Sequence, residues 1–246
     1  MSDNAIGMIV EGTEYEPSII KSIDEIFFNK SVSSGNIKLV TLPADQNLYM
    51  LWLRFKEAGE DADIIEVIRD FSDKTRKALQ GYSRNDFGEV YMFMDLDKQQ
   101  NNLPKKYDPS EVVLEMLEMF NNETENGKLY ISYPSAEAIG DYCFKSCIPI
   151  SGSCLTHLYG QRYKDNVKKS KLYKEIDKYK LEDWKDIKEI YRQRLTCLYG
   201  KTDKFTINDC KKISPDMIYK KQLINRENNI HILSAFPEFI IDYFKT

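Results

Sequence analysis

Residues 90–97 read VYMFMDLD, five large apolar residues followed by two aspartates with one leucine between them. An unbroken apolar run of this length is typical of a strand buried on both faces, as in a parallel sheet covered by helices. Asp95 and Asp97 directly follow the run, and side chains two apart in an extended chain point to the same side. The stretch therefore predicts a central strand with carboxylates at its carboxyl end.

Outward from this strand, strand and helix patterns alternate. Apolar runs at residues 6–10, 37–42 and 128–132 predict three further strands. Helical spacing of apolar residues occupies the intervals between them, and Asp108-Pro109-Ser110-Glu111 has the residues of a helix start. A short helix is expected to begin at Pro134 and run through Glu137. This alternation predicts a doubly wound α/β domain with a mainly parallel sheet.

The C-terminal part of the chain has a different pattern. Strand patterns become rare, and apolar residues recur at helical spacing at Trp184, Ile187, Tyr191, Leu195 and Leu198. We therefore expect a domain over residues 1–145 and a C-terminal helical region over residues 146–246.

The two halves of the chain have net charges of opposite sign, which the net charge of the whole chain conceals. The 246 residues carry 35 Lys and Arg against 39 Asp and Glu, a net charge of −4, which argues against a protein that coats nucleic acid. Residues 1–142, however, carry −12, and residues 143–246 carry +8. The absence of a long apolar run and of a signal-peptide pattern predicts a cytoplasmic protein with no membrane contact.

Acidic residues follow three of the predicted strands. Glu11 follows the first, Asp95 and Asp97 the third, and Glu137 the fourth. The carboxyl ends of strands in an open parallel sheet are where ligands bind, and converging carboxylates repel unless a divalent cation neutralises them. Hard oxygen ligands favour Mg²⁺ or Mn²⁺. Taken singly, each acidic residue is better explained as a helix cap or a solvated loop residue. Their joint occurrence at three strand ends favours a functional site.

The order of these motifs resembles the Toprim domain, the metal-binding fold of topoisomerases, bacterial primases and several nucleases. The stretches IVEGTEYEPSII, VYMFMDLDKQ and YISYPSAEAI are most similar to Toprim-like nucleases of bacterial antiphage defence, related to the overcoming-lysogenization-defect nucleases and the toxin subunit of the PARIS system. The resemblance covers residues 5–143. It implies Glu11 as general acid/base or metal ligand, Asp95 and Asp97 as Mg²⁺ ligands, and Glu137 as the residue that completes the site.

One position departs from the family pattern. An acidic residue usually follows the Glu of the Glu-Gly pair by four positions, but that position is Tyr15, with Glu14 and Glu16 on either side. Either glutamate can take the role, and Glu14 is the preferred second metal ligand.

Basic residues in the C-terminal half provide candidate contacts to a polyanion. A Lys-rich run from residue 164 to 180 includes tyrosines, and such a pattern suits phosphate contacts and base stacking. Lys168, Lys169 and Lys171, together with Lys98, are the predicted nucleic-acid contacts. A solvated helix face explains the same run.

Cysteine and histidine spacing gives little support for a zinc site. Cys143, Cys147, Cys154 and His157 lie within fifteen residues but lack the Cys-x₂-Cys spacing of zinc knuckles. Small apolar side chains on a helix face are the favoured interpretation. The five cysteines are expected to be reduced thiols.

The acidic residues at the strand ends predict a Mg²⁺- or Mn²⁺-dependent enzyme that acts on phosphates. The family resemblance implies that it is an endonuclease and a toxic effector of antiphage defence and abortive infection. It further implies DNA or RNA, tRNA included, as the substrate and an ATPase-type sensor or an antitoxin as the regulator. The alternative is a non-catalytic binding or regulatory module that acts through protein contacts. No glycine-rich nucleotide-binding, P-loop or GxSxG motif occurs in the chain.

Overall fold

A computed structural model describes residues 5–28, 37–59, 62–96, 102–142, 154–170, 174–224 and 229–244. The chain divides into two compact units. The first comprises Met1–Met94 and Gln100–Leu129, and the second comprises Asp95–Gln99 and Tyr130–Thr246. This division is based on packing, whereas the boundary predicted at residue 145 is based on charge and periodicity.

A five-stranded, mostly parallel sheet is the central element of the fold. Its strands are β1 (Ala5–Val10), β2 (Lys38–Pro43), β3 (Phe87–Asp95), β4 (Asn121–Asn122) and β5 (Gly127–Ser132). They lie in the order β2-β1-β3-β5-β4, with β1 parallel to both β2 and β3 and the short β4 antiparallel to β5. The predicted α/β class is confirmed, and the arrangement is compatible with a doubly wound fold.

The buried strands have the residues that such a sheet needs. All six residues of β1 and residues 90–95 of β3 are buried. Both faces of these strands are therefore covered, which explains why they have continuous apolar runs without polar alternation.

Except for the first, the helices named here for the first unit start after residues whose side chains accept backbone N–H groups. The helices are α1 (Tyr15–Ile23), which continues as a π-helix at Asp24–Phe28, α2 (Leu48–Ala58), α3 (Ile64–Arg69), α4 (Asp73–Ala78) and α5 (Pro109–Met119). The Asp108 carboxylate accepts the N–H groups of Ser110 and Glu111 at 2.7 and 3.2 Å, which confirms the predicted start of α5.

The second unit is mainly helical in the C-terminal part of the chain. Its elements are α6 (Ala138–Asp141), β6 (Leu155–Thr156), α7 (Gly160–Lys168), α8 (Leu181–Leu198), α9 (Ile207–Cys210), α10 (Pro215–Ile224), β7 (Ile230–His231) and α11 (Ala235–Tyr243). The apolar residues that predicted a helix are the buried face of α8, on which α11 packs.

Two local features differ from the sequence analysis. The helix expected from Pro134 to Glu137 is absent there; α6 begins four residues later, and Glu137 is the residue that precedes it. The antiparallel pair β6–β7 lies in the region expected to be helical.

Within the ranges described above, every helix is too short or too polar to cross a membrane.

Candidate functional site

Glu11 lies in a tight turn at the end of β1. Its backbone N–H donates to the carbonyl of Phe93 at 3.3 Å, so the turn continues the parallel pairing of β1 with β3. The next residue, Gly12, donates its N–H to Oε1 of Glu16 at 3.2 Å. A Cβ atom at Gly12 would lie less than 3.0 Å from both carboxylate oxygens of Glu16. Glycine is therefore needed here for the close approach of that carboxylate.

The two candidate glutamates after this turn have different surroundings. Glu14 precedes α1, is exposed, and its side chain makes no capping hydrogen bond. Glu16 lies in the first turn of α1 and is buried against the turn. A carboxylate there also interacts favourably with the helix dipole. The residue that contacts the turn is thus Glu16, whereas the sequence analysis preferred Glu14.

In the second unit, Asp95 and Glu137 converge on one cation. Asp95 ends β3 and Glu137 precedes α6, and their exposed fractions are only 5% and 4%. The Nζ atom of Lys164, on α7, lies 3.7 Å from Oδ2 of Asp95 and 3.6 Å from Oε2 of Glu137. We call Asp95, Glu137 and Lys164 the carboxylate cluster.

Both carboxylates also accept a hydrogen bond from the loop after β5. Oδ1 of Asp95 accepts the N–H of Ala136 at 2.7 Å, and Oε2 of Glu137 accepts the hydroxyl of Ser135 at 2.9 Å. The loop after β5 therefore contacts the strand-end aspartate directly. These bonds restrict the rotamers of both side chains and leave Oδ2 and Oε2 facing the lysine.

Backbone pairing holds that loop in place. Leu96 donates its N–H to the carbonyl of Ser132 at 2.9 Å. Tyr133 and Leu233 exchange two backbone hydrogen bonds of 2.7 and 3.0 Å. The Ser132 hydroxyl accepts the N–H of Ala235 at 3.2 Å. The segment that carries Glu137 is thus anchored to residues about a hundred positions later in the chain.

A buried ion pair supports the helix after Glu137. Nη2 of Arg194, on α8, donates to Oδ2 of Asp141 at 2.9 Å, and the Arg194 side chain is 0% exposed. Its Nη1 donates to the carbonyl of Ile232 at 3.3 Å, and its guanidinium lies 4.3 Å from the ring centre of Tyr142. Removing either partner of a buried pair leaves an uncompensated charge, so this contact strongly constrains α6 and α8.

Two tyrosines beside this pair are held in the neutral form. Burial raises the pKa of Tyr142 above its usual value, and the Arg194 charge lowers it only in part. Burial likewise raises the pKa of Tyr163, and the Asp141 carboxylate adds to the increase. Neither phenol is ionised near neutral pH, so neither is a nucleophile or base there.

The carboxylate cluster has the chemistry to hold a divalent cation. Two carboxylates outweigh one ammonium by one negative charge, and both direct an oxygen toward the same point. Oxygen ligands of this kind suit Mg²⁺ or Mn²⁺, while Lys164 neutralises part of the charge. The residues therefore fit a metal ion, with Asp95 and Glu137 as the groups that would bind it.

The remaining predicted site residues are separate from this cluster or lie outside the described residues. Glu11 and Glu14 belong to the first unit. Lys168 ends α7 and Lys169 follows it, and both are exposed. Asp97, Lys98 and Lys171 lie outside the described residues. The predicted roles of all these residues therefore stay predictions.

The cysteines form a different group from the one considered in the sequence. Cys154, Cys197 and His231 bring their ligand atoms within 4.8 Å of one another. Cys143 and Cys147 lie outside the described residues, and His157 is not a member of the group. The sequence spacing could not reveal this group, because its members are 43 and 77 residues from Cys154.

A cleft of about 630 Å³ in the first unit contains none of these residues. Side chains of α2 and α3 line it, Arg54 and Glu66 among them. Arg54 pairs with Glu57 at 3.2 Å, and Glu66 with Arg69 at 2.8 Å. Ion pairs between neighbours on one helix account for these charges without a ligand.

Comparison with protein-family models, curated proteins and solved structures found no match to this chain. The interpretation of the site therefore depends on its geometry and chemistry.

Proposed function

We propose that this protein is a Mg²⁺- or Mn²⁺-dependent nuclease with a Toprim-like doubly wound fold that cleaves phosphodiester bonds. The observation that carries the proposal is the convergence of the buried Asp95 and Glu137 carboxylates on one cationic point. Burying two carboxylates side by side is costly, and proteins tolerate this cost where a cation is bound. A bound metal ion would supply charge stabilisation at the phosphoryl group and activate water.

The chain's own residues have separable roles in this proposal. Asp95 and Glu137 bind the metal, and the hydrogen bonds from Ala136 and Ser135 keep their oxygens in position. Lys164 holds the two carboxylates together when no ion is bound and offers its charge to phosphate oxygens when one is. Lys168 lies one helical turn further along α7, on the same face as Lys164.

Nucleic acid is the proposed substrate class because lysine side chains near the carboxylate cluster can contact backbone phosphates. Lys164, Lys168 and Lys169 offer three positive charges on and just after one helix. The substrate is DNA or RNA, tRNA included. Because such an enzyme would damage its own cell, a protein partner is proposed to restrain it until infection.

Cleavage assays test the proposal directly. The protein is incubated with Mg²⁺ and plasmid, single-stranded DNA or total tRNA. A metal supplies several kcal/mol of transition-state stabilisation, so Asp95→Asn and Glu137→Gln are each expected to lower cleavage at least about a hundredfold. Asp165→Asn is the matched control, because this exposed carboxylate neighbours Lys164 in sequence and accepts a hydrogen bond from Gln161 on the same helix. Cleavage retained in folded Glu137→Gln protein would refute the proposal.

Glutamates of the first unit receive a separate test. Glu11→Gln is expected to abolish cleavage if the role implied by the family resemblance applies. Glu16→Gln is expected to lower cleavage more than Glu14→Gln, because Glu16 contacts the Glu11-Gly12 turn and Glu14 is exposed. If Glu14→Gln lowers cleavage more than Glu16→Gln does, then Glu14 has the second acidic role.

A non-catalytic module is the second candidate, and one observation favours it. Lys164 already neutralises part of the charge on Asp95 and Glu137, so the cluster can be a structural ion-pair network. Titration calorimetry with Mg²⁺ and Mn²⁺, with and without nucleic acid, separates the two candidates. Metal binding that Glu137→Gln removes supports the nuclease, and absence of binding supports the module.

A further inference from the structure

Three soft metal-ligand side chains from distant segments meet inside the second unit. Cys154 directly precedes β6, Cys197 lies in the last turn of α8, and His231 ends β7. Cys154 and His231 are buried, and Cys197 is partly exposed. We call these residues the thiol-imidazole cluster. It shares no residue with the carboxylate cluster and does not depend on the proposed nuclease activity.

The separations between the ligand atoms are close to those around a tetrahedral zinc ion. Zinc–sulfur bonds of about 2.3 Å and zinc–nitrogen bonds of about 2.0–2.1 Å place sulfur and nitrogen ligands about 3.5 Å apart. Sγ of Cys154 lies 3.6 Å from Nδ1 of His231. The two Sγ atoms are 3.1 Å apart, which is shorter than the roughly 3.8 Å of a tetrahedral pair. A small rotation of the partly exposed Cys197 side chain closes that difference.

No disulfide joins Cys154 and Cys197 in the structure. Their sulfur separation of 3.1 Å far exceeds the bond length of about 2.03–2.05 Å in a disulfide. A pair of thiols with a neighbouring imidazole nitrogen is a donor set that selects zinc over magnesium or calcium.

The backbone around the cluster is rigidly held. Gln222, buried on α10, accepts the N–H of His231 at 3.0 Å and donates to its carbonyl at 2.8 Å. Ile232 donates its N–H to the carbonyl of Cys154 at 2.7 Å. These contacts orient two ligands before any ion arrives, which is the usual role of groups around a metal site.

The His231 ring lies with its Nδ1 atom toward Sγ of Cys154. An imidazole nitrogen is the commonest metal ligand in proteins.

We propose that Cys154, Cys197 and His231 form a Zn²⁺ site with three protein ligands and a fourth position open to water or a small anion. The ion links the C-terminal end of α8 to the β6–β7 pair. Among the described residues, no fourth Cys, His, Asp or Glu joins the group.

Metal analysis of the full chain tests this site. The protein is expressed with added zinc, dialysed under reducing conditions, and measured for zinc by mass spectrometry of the elements. One zinc per chain is expected. Replacement by Co²⁺ should give the sulfur-to-cobalt charge-transfer absorption of a site with two thiolates. Binding of less than about 0.1 equivalent of either metal per chain, which is background, would overturn the proposal.

Substitutions at the cluster residues test whether the ion binds there. Cys197→Ser and His231→Gln should each lose at least about tenfold in Zn²⁺ affinity, whereas Cys210→Ser should not. Cys210 is the control because it is a cysteine of the same unit that lies outside the cluster. Cys197→Ser is the decisive variant, because its partly exposed side chain can be changed with least effect on folding, which circular dichroism checks. Unchanged zinc binding in Cys197→Ser would overturn the site.

A disulfide is the competing chemistry, and the same sample distinguishes it. Non-reducing peptide mass spectrometry of protein isolated under cytosol-like reducing conditions should find Cys154 and Cys197 as thiols. A Cys154–Cys197 linked peptide under those conditions would overturn the zinc site in favour of a redox pair.

Discussion

The carboxylate cluster and the thiol-imidazole cluster lie in the same unit, but their chemistry differs. Asp95 and Glu137 present hard oxygens to a lysine, whereas Cys154, Cys197 and His231 present two sulfurs and a nitrogen to one another. Hard ligands need an opposite charge to be buried together, and neutral thiols and imidazole do not. The first cluster thus carries its own cation, and the second remains stable without one.

Arg194 is the structural link between these two regions. It pairs with Asp141 on the helix that follows Glu137, and it donates to the carbonyl of Ile232, next to His231. It also lies one turn before Cys197 on α8. Changes to this residue should therefore affect both clusters, whereas changes to Lys164 or Gln222 should affect one.

The largest expected effect is that of Arg194→Leu. It leaves Asp141 as a buried charge without its partner, so we expect a loss of about 3–5 kcal/mol in the free energy of unfolding. Urea denaturation measures this loss. Arg76→Leu is the control, because its ion pair with Asp73 is exposed and worth at most about 0.5 kcal/mol. A loss below about 1 kcal/mol would show that the buried pair does not hold the two regions together.

Gln222→Leu should act on the thiol-imidazole cluster alone. It removes both hydrogen bonds to the backbone of His231, so we expect a loss of about 2–3 kcal/mol in unfolding free energy and at least tenfold weaker Co²⁺ binding. Lys220→Ala, which removes an exposed ion pair on the same helix, is the control. Equal effects of the two variants on Co²⁺ binding would contradict the positioning role.

Lys164→Met should act on the carboxylate cluster alone. The lysine side chain is 31% exposed, so the cost of two unneutralised carboxylates is discounted to about 1–2 kcal/mol. Millimolar Mg²⁺ should restore this stability if the carboxylates bind the ion. Thermal denaturation with and without Mg²⁺ measures both effects, with Lys168→Met as the exposed control. Failure of Mg²⁺ to restore stability would favour the non-catalytic module.

The smallest expected effect lies at the start of α8. Burial raises the pKa of Asp183, but hydrogen bonds from Lys174 and from the backbone of Lys180, both of 2.7 Å, outweigh it and lower the pKa below 3.8. The ionised form stabilises the folded chain, so this contribution is complete above the ordinary pKa and is lost as the pH falls through the folded value.

Asp183→Asn should therefore cost about 0.5–1 kcal/mol at neutral pH, and less as the pH falls below about 4. Urea denaturation of both proteins from pH 7 to pH 3 measures the difference. A difference that grew on acidification would show that the carboxylate is not stabilised by these donors.

Local patterns predicted much of the fold. The apolar runs at β1 and β3 and the cap residue Asp108 act over a few positions, and the structure has the expected elements there. The helix expected from Pro134 failed for a non-local reason. Tyr133, the residue before this proline, exchanges two backbone hydrogen bonds with Leu233, a residue far along the chain.

The candidate site was only partly predictable. Asp95 and Glu137 were expected to converge because both follow strands of one sheet, and they do. Lys164 was part of a Lys-rich run, but nothing in that run indicated which lysine faces the carboxylates. Cys197 and His231 had no local signal at all, since ordinary helix and strand residues flank both.

The sequence by itself determined the α/β class, the buried strands and the position of acidic residues at strand ends, because these depend on residue spacing and on the carboxyl ends of parallel strands. Tertiary structure alone decided which distant groups meet: Lys164 with Asp95 and Glu137, Arg194 with Asp141, and Cys154 with Cys197 and His231. Such contacts join segments many residues apart, and burial of the whole chain, which no short stretch encodes, selects them.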